Sequence, residues 1–222
     1  MQHNISLNKD KAGANFSARF SCYNITMRKI LEAILVGILC GLLTHIVGKF
    51  LPSDWQFLIE TKAIWLIPAF LISFNLPLRR KCTDAVAIST ITLVTTGVVY
   101  YTSEIVMNHG AWYFYGDFGY FIIPAIIAGV ITGYVAFLGR SATNKFIRYA
   151  SVAILPAIYT GGGIDGILDT INNFQWTPEI ATKLFGGFIF YVLLTGKNRF
   201  KPTSIMIYII LAFVAALGIP IT

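Results

Sequence analysis

The 222-residue sequence is 56% hydrophobic and only 12% charged, with a formal net charge of +7, about half the ~25% charge of an ordinary soluble domain. With a mean hydropathy of +0.69, this composition excludes a soluble globular chain and indicates an integral membrane protein whose first partner is the lipid bilayer. No cofactor and no nucleic-acid partner are expected, because the chain carries neither a nucleotide-binding motif nor a metal cluster of the H-E-x-x-H kind.

Residues 1–26 are polar, rich in Asn, Ser and Lys and without a sustained period, so a mobile cytoplasmic tail is expected there. Met27-Arg28-Lys29 ahead of an apolar run also has the form of a chain start. Residues 27–222 then make one transmembrane helical domain. A cleavable signal peptide over 27–47 fails on length and on the lack of a small-x-small site. The Asn-x-Ser/Thr triplets at Asn4, Asn15 and Asn24 fall on the inner side, where glycosylation does not reach.

Seven apolar stretches near the ~20 residues needed to cross ~30 Å of hydrocarbon follow, at 30–50, 57–78, 84–104, 118–139, 147–164, 180–196 and 203–221. None has the alternation of a barrel strand, and helices satisfy their own backbone in lipid. The expected fold is an all-α, polytopic transmembrane bundle, with six spans as the alternative.

In the first span, Gly37-x-x-x-Gly41 offers a flat packing face. Glu32 lies one turn from Arg28 and Lys29, and His45, near the outer end, reads as a polar packing residue. Glu60 and Lys62 before Trp65 fit an interfacial belt at the second span. In the third, Asp84 fits a helix cap, and Ser89, Thr92 and Thr96 form a hydroxyl stripe expected to face the bundle or to bond back to its own helix. Tyr100, Tyr101 and Glu104 stand at its outer end.

The outer loop N-H-G-A-W-Y-F-Y-G-D-F-G-Y, residues 108–120, concentrates aromatics and Asp117. Aromatic walls with carboxylates match a cationic or ring-bearing solute, although interfacial aromatics are also common in any membrane protein. Gly129-x-x-x-Gly133 in the fourth span and Gly186-Gly187 in the sixth read as packing faces. At the fifth span, Y-T-G-G-G-I-D-G-I-L-D (159–169) follows Pro156. At ~1.5 Å per residue from Arg148, Gly161 lies ~20 Å along the axis, within the outer leaflet. Two readings stand: a helix unwound at the glycines that holds Asp165 and Asp169 in a wet cavity, or a helix that ends there and passes into a plain external loop. Cys22, Cys40 and Cys82 suggest no disulfide.

Basic residues near span ends set orientation. With the amino terminus inside, Lys9, Lys11, Arg19, Arg28, Lys29, Arg79, Arg80, Lys81, Arg140, Lys145, Arg148, Lys197, Arg199 and Lys201 are internal, fourteen of seventeen. If the fifth span failed to cross, the last three would be external. An odd number of crossings therefore places the carboxyl terminus outside.

The runs G-L-L-T-H-I-V-G-K-F-L-P, L-I-E-T-K-A-I-W-L-I-P-A-F-L and G-V-V-Y-Y-T resemble a family of small bacterial multi-pass membrane proteins known only as a domain of unknown function. The resemblance rests on Gly41, Leu43, Thr44, Leu51, Pro52, Trp65, Ala69, Phe70, Gly97, Tyr100 and Tyr101, about a third of the chain, and implies the bundle without implying an activity.

Two function classes follow. The first is solute transport or binding through an outward vestibule formed by Glu104, Trp112, Tyr115, Asp117, Asp165 and Asp169. The second is a non-catalytic interaction, immunity or accessory protein that packs on another membrane protein, or on itself, through Gly37, Gly41, Gly129 and Gly133. No Ser/His or paired-Asp geometry nominates an intramembrane enzyme, and no catalytic or metal-ligating residue is assigned.

Overall fold

In the computed structural model the described residues form helices and short connections, with no strand among them. The structure describes residues 3–52, 63–78, 80–107, 114–170, 177–195 and 201–218, and side chains within 27–52, 64–78, 80–107, 120–168, 177–195 and 201–217. The helices are α1 (His3–Phe50), α2 (Leu66–Phe74, entered by a 3-10 turn at Ala63–Trp65), α3 (Cys82–Met107), α4 (Phe114–Ser141), α5 (Lys145–Thr170), α6 (Pro178–Thr195) and α7 (Pro202–Gly218). Met27–Phe50, Cys82–Met107, Tyr120–Ser141, Lys145–Leu168 and Pro178–Thr195 are long and apolar enough to cross a bilayer, whereas the apolar Pro202–Leu217 is shorter. This is the architecture of a multi-pass membrane protein.

α1 has the radial pattern of a lipid-immersed helix. Leu31, Leu35, Leu39 and Leu43 are exposed, each four residues from the last. Ala33, Gly37, Gly41 and His45, on the opposite face, are buried. Lipid solvates the leucines, so small and polar residues occupy the interior, where backbones approach and polar groups find partners.

A Cβ on Gly37 would meet Thr92 O at 2.8 Å and Thr95 Cβ at 2.7 Å, and one on Gly41 would meet Thr96 O at 2.6 Å. The contact numbers rise together along both helices, so α1 and α3 are parallel. On the other side of α3 the order reverses: a Cβ on Gly129 would meet Thr90 Cα at 2.5 Å and one on Gly133 would meet Val86 Cα at 2.5 Å, which makes α4 antiparallel to α3. The four glycines thus seat the chain's own helices. Ser89, Thr92 and Thr96 are fully buried on α3. Thr92 and Thr96 donate to Ile88 O and Thr92 O, so the stripe faces the bundle while two of its hydroxyls bond back to their own helix.

α3 packs on α1, α2 and α4, and α5 packs on α4, α6 and α7. α2 wedges between these groups through buried Phe70, which shares a cluster with Ala136, Val152, Phe190 and Leu194. Its nine residues cover only ~14 Å, less than the expected 57–78 span, whose residues 57–62 lie outside the described residues. The helix stops at Phe74 because Leu76 precedes Pro77 and is disfavoured from helical backbone. The Asn75 N–H donates to Leu71 O and closes the last turn.

The fifth span corrects both expectations for residues 159–169. α5 neither unwinds nor ends at the glycines but continues to Thr170. A Cβ on Gly161 would lie 2.7 Å from Ala215 Cβ and 2.8 Å from Ala212 O, and one on Gly163 would lie 2.9 Å from Leu184 Cγ. Two glycines therefore fit α5 between α7 and α6, and tertiary packing outweighs their helix penalty of ~1 kcal/mol each. α4 likewise begins at Phe114, inside the segment expected to be a loop. α1 includes the polar residues 3–26 in its helix.

Candidate functional site

The α1–α3 seam climbs from Gly37 to Gly41 and, one turn further, brings His45 against Glu104. The imidazole is 2% exposed and its Nδ1 lies 2.8 Å from Glu104 Oε1, with the carboxylate side chain 21% exposed. An N–H on Nδ1 donates to the carboxylate at that distance. The other ring nitrogen, Nε2, is buried without a hydrogen-bond partner among the described residues. A protonatable ring in a lipid-immersed helix pair, joined to a carboxylate at one edge and unsatisfied at the other, is the strongest chemical feature of the helix interfaces.

The surrounding shell is polar and aromatic. Thr44 donates its hydroxyl to Cys40 O at 2.7 Å and accepts the Trp65 indole N–H at 3.0 Å, which ties α1 to the turn leading into α2. The Tyr100 and His45 rings meet edge-to-face with centroids 6.4 Å apart, and Tyr100 packs against Trp65 at 5.3 Å. Phe121 of α4 completes the shell against Trp65 at 5.4 Å and Tyr101 at 5.1 Å. Gly97 admits that ring, since a Cβ there would lie 1.7 Å from Phe121 Cε1. The carboxylate and the aromatic rings favour positive charge beside the pair, whereas burial penalises it.

Of the residues named from sequence for a vestibule, Glu104 belongs to this cluster. Asp165 is half-buried on α5, and α5 is joined to α3 through α4 rather than packed on it. Tyr115 and Asp117 are in the first turns of α4, and Asp169 is in the last turn of α5, with side chains outside the described set. Trp112 lies outside the described residues altogether. Lys183, one turn from Glu179 on α6, pairs with that carboxylate and lies 3.8 Å through its Nζ from a Cβ position on Gly162. Among the described residues no three His, Cys, Asp or Glu side chains gather as a metal site requires.

His45, read from sequence as a polar packing residue, is buried and paired with Glu104, a partner that sequence reasoning did not name. A signal was present. Thr44, Trp65, Tyr100 and Tyr101, four positions of the family resemblance, surround it together with Gly41 and Gly97, which allow the helices and Phe121 to close in.

A sequence-family model described as "Family of unknown function (DUF6518)" matches residues 23–221. No curated protein and no solved structure matches the chain.

Proposed function

The chain belongs to the DUF6518 family of unknown function, and we propose that it is a seven-span bacterial inner-membrane protein, amino terminus in and carboxyl terminus out, that binds or transports a small cationic solute from the outer face. The observation carrying this reading is the pairing of buried His45 with half-buried Glu104 at the outer end of the α1–α3 seam. Ionisable groups inside a membrane span are costly, up to ~2.5–3.5 kcal/mol at the bilayer centre and less toward its surface, which favours a functional reason for keeping them. Glu104 supplies negative charge, Tyr100 and Trp65 supply ring faces, and the His45–Glu104 pair carries a proton that an arriving cation displaces to the outer solution. Trp112, Tyr115, Asp117, Asp165 and Asp169 form the outer approach in this reading.

The packing alternative has less support. Gly37, Gly41, Gly129 and Gly133 are filled by α3, so those faces are not available to another protein.

The test is uptake of a panel of small organic cations, choline and protonated amines among them, into proteoliposomes under an imposed pH gradient. Gradient-driven uptake of at least one member is expected, reduced about tenfold or more by Glu104→Gln and by His45→Asn, in line with loss of a charge-assisted contact. Uptake that ignores both substitutions, or no uptake above protein-free liposomes for any member, overturns the proposal.

A further inference from the structure

The opposite end of the bundle holds a cavity of about 260 Å³ where the ends of α2, α4 and α6 meet the start of α5. Phe74 and Val152 contribute apolar wall, and Arg140, Arg148, Tyr149 and Thr195 contribute the polar lining, with no carboxylate among the lining residues. One water requires only ~10–15 Å³ and drug-sized ligands fill ~300–1,000 Å³. The space therefore suits a small polyatomic group with some of its hydration.

Its chemistry is that of an anion receptor. The Arg140 guanidinium is anchored by Nη1 donating to Leu76 O at 2.7 Å and Nη2 to Arg80 O at 3.5 Å. Its Nε–H is buried and has no hydrogen-bond partner among the described residues. Arg148 sits in the first turn of α5 with its guanidinium 5.9 Å from the Tyr149 ring centroid, and no carboxylate pairs with it among the described residues. Asp84 on α3 faces Arg80 at 3.8 Å. Thr195 directs its hydroxyl hydrogen to Tyr191 O, so the donors left for a ligand are those of the arginines and Tyr149. Asn144 caps α5 by accepting the Phe146 N–H at 2.8 Å, and the positive end of that helix lies beside Arg148.

We infer that this cavity binds a phosphate group, held between the Arg140 and Arg148 guanidinium groups. Planar guanidinium donors match phosphate oxygens in geometry and charge. The cavity is at the level of the basic ends of the helices, so the phosphate comes from either an anionic lipid headgroup or a small soluble phosphate compound. The inference does not depend on the solute reading of the outer face.

The experiment uses the full-length protein purified in uncharged detergent, with thermal unfolding followed by tryptophan fluorescence. One arm adds sodium phosphate against sodium chloride at matched ionic strength; the other adds phosphatidylglycerol against phosphatidylcholine. A melting-temperature rise with phosphate over chloride identifies a soluble ligand, and a rise confined to phosphatidylglycerol identifies a headgroup. In either case Arg148→Gln is expected to raise the half-saturating concentration about tenfold, with Arg148→Lys intermediate. Arg140→Gln removes the donor to two carbonyls and is expected to lower stability itself, so Arg148→Gln decides. No rise with either probe over its control, or equal responses from Arg148→Gln and the wild type, overturns the inference.

Discussion

Thr44 joins two elements with one hydroxyl, donating to its own helix at Cys40 O and accepting from Trp65 at the entrance to α2. Trp65 is 3% exposed, so loss of that acceptor leaves an indole N–H buried without a partner, which costs about 1–3 kcal/mol. Thr44→Val keeps the shape and removes the oxygen. Its expected effect is a destabilisation of that size in thermal or chemical unfolding in micelles, and Thr44→Ser, which keeps the oxygen, is expected to recover most of it. An unfolding midpoint unchanged by Thr44→Val would mean that the indole finds another acceptor. The sequence identified Glu104 and the hydroxyl stripe individually, because acids and hydroxyls in apolar runs stand out by type. The pairing of His45 with Glu104 across 59 positions was not legible, since it depends on the register of α1 against α3, set by two glycines whose contacts cannot be read from spacing.

α5 illustrates how far a local rule reaches at the scale of an element. Three glycines in series after a proline predict a break, and in an isolated helix they favour one. The broken helix and the external loop were both read from that local chemistry. What the sequence did not reveal is that Ala212, Ala215 and Ala216 of α7 and Leu184 of α6 lie against Gly161 and Gly163, so the glycines act as contact surfaces. Gly162 differs from its neighbours: a Cβ there would meet the Lys183 side chain, nearest at Cδ, 3.6 Å away, an ordinary contact. Gly162→Ala is therefore expected to stabilise the protein by up to ~1 kcal/mol, because alanine is the better helix former. Gly161→Ala is expected to destabilise by about 1–3 kcal/mol, because the methyl group meets α7 backbone that cannot yield by a rotamer change. The two variants change the same atom count at adjacent positions, so midpoints that move in the same direction would refute the packing account of this helix.

At the scale of the whole molecule, the helix directions bring the basic residues together. α1 and α3 run parallel and α4 returns antiparallel, so Arg80 at the start of α3 meets Arg140 at the end of α4, with Arg148 following at the start of α5. Lys29 at the base of α1 lines one recess with Arg80 and Asp84. The charge asymmetry read from sequence along the chain thus becomes an asymmetry in space, with His45 and Glu104 at the opposite end. Lysine and arginine near span ends are retained on the cytoplasmic side, so this end is expected to face the cytoplasm. In the proposed arrangement the amino terminus enters from there, and seven crossings would deliver the carboxyl terminus to the other face. A fluorescent protein that matures only in the cytoplasm is expected to fluoresce when fused to the amino terminus and to stay dark at the carboxyl terminus, where alkaline phosphatase is expected to be active instead. α2 is the element on which this count depends, because its nine helical residues cannot cross ~30 Å alone and require the chain before Ala63 to complete the passage. If both fusions report the cytoplasm, one crossing is lost. An α2 that fails to cross would leave Lys29 and Arg80 on opposite faces, against their shared recess, so the missing crossing would instead lie in α7, the other apolar helix too short to be an assured span.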